Sequence, residues 1–522
     1  MNLIYSLLLI IILLTQAASP RLTQAQSVTK NTSSKNRSVP NNIKKRFPRL
    51  EMQLEDLRNL LMIPGMSATI VKDQKIIWAR GFGFSDLENK VPATENTPYR
   101  IASLTKTFAS TLVMQLVEQG KVSLDDPMSK YSADFKDDSV KVRHILSHTS
   151  ESTPPGAKYK YNGDRYAYLD AVIEKATGKT FRELLTEKVL TKLKMSDSVP
   201  GQDVLEQPNK VKDSADAKTL RRYENVLARL AKPYTLYGDS QIILSPYPIK
   251  RITTAADLIS TVADLAKYDA AIDRHLFLKK ETQDMAWTPA VSNDGQTLPY
   301  GLGWFSQNYQ GAKLVWHYGQ WSTFSGLILK VPEKNITFIL LANSGALSTP
   351  FRLGSTGDVT KSPFAITFLR MFFSEDLQNR VLPDPDWKLE PEKLSAEIAN
   401  FKNQAGGYGY DKELQAQKAI FDWRNRLRAN ERREIKVDSK ILDAYVGTYE
   451  LRPSPLIITK EGDKLMAEGP GQPKAELFAA SETEFFLKTA DAGVTFVRDA
   501  QGKVTHLMLR LYGQNIHAEK LK

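Results

Sequence analysis

Two kinds of periodicity divide this chain, and no single layer of secondary structure accommodates both. Residues 47–375 mix apolar runs of strand length with stretches of helical spacing. From Ile441 onward the chain becomes a succession of short β-rich runs: Tyr445 to Leu451, Leu456 to Thr459, Glu484 to Leu487, Val494 to Val497 and Val504 to Leu511. Turn signals such as Glu461-Gly462-Asp463 and Gln501-Gly502-Lys503 separate them. That rhythm predicts a small antiparallel barrel or sandwich over residues 437–522. Between the two regions, residues 376–436 carry helix formers and dense charge, as in Arg424-Asn425-Arg426-Leu427-Arg428, and read as a charged helical linker. A chain of 522 residues with 42% hydrophobic content has material for two separate cores. Wholesale disorder, collagen and a multi-span membrane protein are excluded.

The N-terminus is of another kind. An apolar run from Leu3 to Leu14 is followed by small and polar residues, Thr15-Gln16-Ala17-Ala18-Ser19. A dozen apolar residues fall short of the roughly 20 that span a bilayer, so residues 1–26 read as a signal peptide, with no stable membrane span expected. The expected location is periplasmic or secreted. Residues 27–46 are rich in Ser, Asn and Lys and read as a flexible basic tether. The net charge of +12 invites a nucleic-acid reading until its location is traced. Eight basic residues and no acidic one lie between Met1 and Arg49, leaving 63 basic against 59 acidic residues elsewhere, so no nucleic-acid partner is expected. Cysteine is absent, which excludes disulfides, thiolate metal sites and cysteine nucleophiles.

Within residues 47–375, Gly65 to Val71, the turn Lys72-Asp73-Gln74-Lys75 and Ile76 to Gly81 predict a hairpin. Phe108, Leu112, Val113, Leu116 and Val117 fall at helical spacing, and Gly120 stands where a C-cap is expected. A second hairpin is predicted from Gly326 through Pro332-Glu333-Lys334-Asn335 to Leu340. Strands near both ends of a region with helices between them give an α+β architecture.

One motif in this region carries chemistry. Ile101-Ala102-Ser103-Leu104-Thr105-Lys106 contains Ser-x-x-Lys, a pattern that occurs again at Ser27-Val28-Thr29-Lys30. Only the first copy opens an amphipathic helix, where Ser103 and Lys106 fall on one face beside the positive end of the helix dipole. A serine hydroxyl becomes a nucleophile when a neighbouring base takes its proton. A desolvated lysine can be that base, because burial disfavours its charge.

The surrounding residues identify a resemblance. Gly81-Phe82-Gly83, Tyr99-Arg100-Ile101-Ala102-Ser103-Leu104-Thr105-Lys106-Thr107, Leu116-Val117-Glu118-Gln119-Gly120-Lys121, Leu124-Asp125-Asp126-Pro127, His144-Ile145-Leu146-Ser147-His148-Thr149-Ser150 and Tyr300-Gly301-Leu302-Gly303-Trp304 stand in sequence. On these stretches residues 55 to 375 resemble the penicillin-recognising serine hydrolases related to class C β-lactamases, which include β-lactamases, D-amino-acid-specific peptidases and esterases. The resemblance implies a β-lactamase/penicillin-binding-protein-like domain, an antiparallel sheet flanked by helices, acting by transfer of the substrate's acyl group to Ser103 and on to water, with no metal or organic cofactor.

Pro155-Gly156-Ala157-Lys158-Tyr159-Lys160-Tyr161-Asn162-Gly163 resembles the family's Tyr-x-Asn region. It implies Tyr161 as proton shuttle and puts Gly163 where the motif asparagine belongs, with Asn162 or Asp164 as candidates to fill the gap. Trp316-His317-Tyr318-Gly319-Gln320 resembles the third motif, with His317 and Gly319 lining the pocket and the backbone N–H of Gln320 joining that of Ser103 as oxyanion donor. His144 and His148 are four apart, but Ile145 stands where a His-Glu-x-x-His motif has glutamate, so no metal site is expected there. The region after Ile441 resembles the lipocalin-like β-domain appended to such hydrolases. The expected partners are small molecules or peptides, cell-wall fragments among them, with room for oligomerisation. A non-turnover penicillin-binding or wall-peptide-sensing protein of the same fold is the alternative, kept open by Gly163.

Overall fold

The computed structural model describes residues 41–373 and 434–521, apart from residues 206–215, 238–240, 246–250, 310, 452–454, 470–473, 488–491, 500 and 512–513. The expected signal peptide, most of the tether and nearly all of the charged linker lie outside these residues. The described residues form two compact units, one on each side of that linker.

Ordered backbone begins before Phe47, because Asn41–Lys44 form a helical turn and Ile43 is buried. The helix α1 (Phe47–Leu60) follows, burying Leu50, Leu54 and Leu57 on one stripe. The sheet is built from β1 (Gly65–Lys72), β2 (Lys75–Asp86), β3 (Val91–Pro92), β4 (Phe305–Tyr309), β5 (Ala312–Gln320), β6 (Ser325–Val331) and β7 (Ile336–Ala342). Its order is β3-β2-β1-β7-β6-β5-β4, and every pairing is antiparallel. Both hairpins lie where the turn residues placed them: Asp73 and Gln74 have φ of 48° and 65°, and Asn335 has φ of 47°. Pairing β1 with β7 joins the first and last strands of the sheet across more than two hundred residues, which no local pattern encodes.

Both faces of the sheet are covered, so β6 and β7 read as unbroken apolar runs and are buried throughout. The helix α4 (Pro363–Phe373) stacks Phe368 on Phe338 of β7 at 4.9 Å. On the other face lie α2 (Thr105–Glu118) and α3 (Val262–Asp273), in the same core as Ile328 and Ile339. A buried cation, Lys330 of β6, is neutralised there by Asp269 and Asp273 of α3.

The C-terminal unit is a meander of β8 (Gly447–Tyr449), β9 (Leu456–Glu461), β10 (Lys464–Glu468), β11 (Ala475–Ala479), β12 (Glu484–Phe486), β13 (Ala492–Arg498), β14 (Val504–Leu511) and β15 (Gln514–Glu519), paired in that order. The last strand returns to the first: Glu450 donates to the carbonyl of Glu519 (2.8 Å) and Leu521 to that of Thr448 (2.7 Å). The result is a nearly closed antiparallel barrel. Its interior is filled by Tyr445 stacked on Phe496 at 4.0 Å, with Tyr449, Phe485 and Leu507 around them. Sequence patterning missed β10, β11 and β15, whose buried residues are few among those described: Leu465 in β10, Leu477 and Ala479 in β11 and Ala518 in β15.

Candidate active site

Ser103 lies in a 3-10 turn, Ala102–Leu104, immediately before α2, rather than in the helix proper. Ala102 takes up the left-handed region at φ 48°, a conformation costly for a residue with a side chain. Long-range bonds hold the turn there. Ile101 donates to the carbonyl of Leu258 (2.9 Å) and Leu258 to Thr105 Oγ1 (3.2 Å). On the other side the end of β5 comes so close that a Cβ added to Gly319 would lie 2.3 Å from the Ile101 carbonyl oxygen. Glycine is required at 319 by that contact, and Gln320 is thereby carried to the rim of the Ser103 turn.

Lys106, one turn of helix on, places Nζ 3.1 Å from Ser103 Oγ and donates to the carbonyl of Ala255 at 2.8 Å. The side chain has no exposed surface. Burial pulls its pKa down from 10.5 to about 7, against the opposing charges of Asp164 and Asp257. At neutral pH this amine is poised between its two forms.

Tyr161 forms the adjoining wall, its ring centroid 5.6 Å from Lys106 Nζ. Burial raises its pKa well above the ordinary tyrosine value, partly offset by Ser103 and Tyr318 beside its hydroxyl. Its hydroxyl is buried beside Ser103 and Tyr318 and is committed to neither in a regular hydrogen bond. A tyrosine in this state stays neutral near pH 7. It can relay a proton but is not itself a resting base.

Two of the expected substrate contacts are used inside the protein instead. His317 is completely buried, with Nδ1 2.7 Å from the carbonyl of Tyr318 and Nε2 2.8 Å from the hydroxyl of Tyr300. A carbonyl only accepts, so Nδ1 carries the proton and Nε2 accepts from Tyr300. Both ring nitrogens are engaged, and burial lowers the pKa to about 3, which keeps the ring neutral. Asn162 turns its Oδ1 to the backbone N–H groups of Asp164 (3.1 Å) and Arg165 (3.0 Å), capping the short helical turn Asp164–Tyr168. An asparagine just before a turn offers this local bond at little entropic cost, and here it wins over a reach toward substrate. Asp164 lies on the site side, close enough to act on Lys106 electrostatically.

From the sequence, His148 is given no metal role, and Tyr300 and Tyr318 are given no role in the chemistry. The structure puts the buried His148 ring 4.2 Å from Tyr161 and 4.9 Å from Tyr300, between centroids, with Nδ1 accepting from the Asn162 N–H at 3.4 Å. It forms the back of an aromatic box that includes Phe305 and Tyr318. The His-Thr-Ser run and the Tyr300 stretch were visible as motif; their side-chain functions depend on neighbours far away in sequence.

The pairing of Ser103 with the Lys106 amine, held between a helix start and a sheet edge, invites comparison with known proteins. Residues 55–356, more than half of the chain, match the family model described as Beta-lactamase. The chain belongs to the beta-lactamase family. Members of this beta-lactamase family are serine hydrolases. Residues 431–520 match a second model, a domain of unknown function designated DUF3471, which coincides with the barrel. Penicillin-binding protein 4* of Bacillus subtilis is 22% identical over 457 residues, covering 81% of this chain and 87% of that protein. Protein flp of Staphylococcus aureus is 25% identical over 329 residues, and the match spans 55% of this chain and 61% of that protein. An octameric penicillin-binding protein homologue from Pyrococcus abyssi has a similar fold, with a TM-score of 0.52 at 21% identity over 91% of this chain and all of that one.

Proposed function

We propose that this member of the beta-lactamase family is an exported serine hydrolase that works through an acyl-enzyme on Ser103. The observation carrying the reading is Lys106 Nζ, 3.1 Å from Ser103 Oγ, with its pKa drawn to about 7. In the unprotonated fraction the amine accepts the serine proton as Oγ bonds to the substrate carbonyl carbon. The oxyanion forms against the N–H groups of Ser103 and Gln320. Collapse breaks the bond to the leaving group, which receives the proton back from Lys106 through the Tyr161 hydroxyl. Water then attacks the ester by the same route and restores Ser103. His317 acts one layer behind, orienting Tyr300 and the β5 backbone.

Ser103→Ala is expected to abolish both fluorophosphonate labelling and turnover while changing stability by at most about 1 kcal/mol, since a small polar residue becomes a small apolar one. Labelling of the parent is expected in the periplasmic or secreted fraction. Retained turnover in the variant would remove Ser103 from the mechanism, and labelling without turnover in the parent would favour the sensor reading. For the parent, kcat/KM is expected to rise with pH through a midpoint of about 7, as Lys106 loses its proton.

Substrate choice turns on residue 163. Gly163 has φ of −58°, an ordinary helical value, and an added Cβ would meet only the Tyr161 ring edge, at 4.0 Å. The motif asparagine is therefore missing from a place that would accept it. Without that amide, the site should favour esters or unusual peptides over β-lactams. Gly163→Asn is expected to raise kcat/KM for amide and β-lactam substrates relative to p-nitrophenyl esters. An unchanged ratio would refute this account of specificity. Tyr161→Phe removes one hydroxyl and should cost about 10²- to 10⁴-fold in kcat with the fold intact; near-parental turnover would exclude the relay.

A further inference from the structure

Among the described residues one group of side chains has the composition of a transition-metal site: His506, His517 and Glu519 on the last two strands of the barrel. We propose that these three residues bind a divalent ion of the zinc class and that the ion clips the closing strand of the barrel to its neighbour.

The placement follows from strand register. In the β14–β15 ladder His506 faces Glu519, Leu507 faces Ala518 and Met508 faces His517. Leu507 and Ala518 are fully buried in the barrel core, so the alternation of a strand turns His506, His517 and Glu519 outward on one face. Their ligand atoms all lie within 4.8 Å of one another. The two imidazoles stack at 4.3 Å between centroids, and His517 Nε2 is 2.8 Å from Glu519 Oε1. Ligands about 2.0–2.2 Å from a tetrahedral zinc stand roughly 3.5 Å apart, so modest rotations of these solvent-facing side chains complete the site. Two imidazoles and one carboxylate suit zinc, copper or nickel rather than magnesium or calcium, which take oxygen ligands. A fourth position is left to water.

A second observation concerns the tautomer of His506. Its Nδ1 is 2.9 Å from Thr505 Oγ1, and that hydroxyl donates to the carbonyl of Val497 at 3.4 Å. When Nδ1 carries the proton, the hydroxyl accepts from it at the shorter of these two distances. The lone pair of His506 then resides on Nε2, where a metal needs it. A bond to the second ring nitrogen is the usual device that fixes a ligating histidine.

The consequence is mechanical. β15 is held on one side by the β14 ladder and on the other by the few bonds that close the barrel onto β8. An ion bridging β14 and β15 at that seam resists fraying of the closing strand and stabilises the unit by mass action.

The test uses the untagged full-length chain, stripped with a chelator, and zinc chloride alone. Calorimetric titration is expected to show one zinc per chain with micromolar affinity, and zinc but not magnesium is expected to raise the melting temperature of the barrel transition. His506→Gln and His517→Gln should each weaken zinc binding at least about tenfold, and Glu519→Gln should weaken it less. These outward positions leave the core untouched, and equal far-ultraviolet circular dichroism of the stripped proteins checks that the fold persists. Absence of saturable binding at millimolar zinc, equal binding by the parent and all three variants, or an equal effect of magnesium would each overturn the proposal. Hydrolysis is not read, so the outcome is independent of the function proposed for Ser103.

Discussion

Lys106→Met is expected to abolish turnover and, at about pH 6, to raise the melting temperature. Lys106 has an ordinary pKa of 10.5 when unfolded and about 7 in the folded protein. Between those values the unfolded chain binds the extra proton, so stability rises with pH across that window. Below it both states are charged, and the folded protein carries the full cost of a buried ammonium. A displacement of this size corresponds to roughly 4–5 kcal/mol. Methionine fills a similar volume without charge, but leaves the Ala255 carbonyl and Ser103 Oγ without the amine. Each lost bond returns about 1 kcal/mol, and the net gain at about pH 6 is about 2–3 kcal/mol. The gain should shrink as pH rises toward the unfolded value. Loss of the general base should reduce kcat by about 10³-fold or more. Calorimetric scans of both proteins at low and high pH, alongside turnover, make the check. A variant that is less stable at low pH, or whose gain does not change with pH, would show that the amine is not held against its charge.

A comparable loss is expected from the addition of one methyl group. In Gly319→Ala the new Cβ would stand 2.3 Å from the backbone oxygen of Ile101, and backbone cannot step aside as a flexible side chain would. The strand end and the Ser103 turn must separate, which costs about 1–3 kcal/mol as overpacking. On the mechanism proposed above it also displaces the Gln320 N–H that serves as oxyanion donor. Removing one oxyanion donor lowers kcat by about 10²- to 10³-fold, and that is the loss expected here. Gln320→Ala should be nearly neutral, because the proposed mechanism uses only the backbone of residue 320. If Gly319→Ala keeps parental kcat, or Gln320→Ala matches its loss, the oxyanion role of this strand end is refuted.

The residues that could be read in advance share one property: their signal is local. Ser103 and Lys106 stand three apart at the start of a periodic helix, and Gly120 ends that helix with φ of 68°. Turn residues and apolar runs located the hairpins β1–β2 and β6–β7 because backbone twist and side-chain alternation are properties of a few neighbouring residues. The absence of cysteine excluded cysteine chemistry by composition alone, and eight of the twelve excess positive charges lie between Met1 and Arg49.

Tertiary structure decided what those residues can do. Asn162 could reach toward substrate or cap the next turn, and the closeness of the N–H groups of Asp164 and Arg165 settled it. His317 belongs to the strand the motif indicated, yet Tyr300 and the Tyr318 carbonyl occupy both its nitrogens. His148 became the back of the aromatic box only because residues 148, 161 and 300 converge. The amine of Lys106 owes its lowered pKa to walls contributed by distant segments, since burial is a property of everything packed around a group and of nothing adjacent to it in the chain. Sequence by itself determined the chemical types present and their local order along helix and strand. The fold determined their solvation and their partners, because desolvation and hydrogen-bond competition are settled only when remote segments meet.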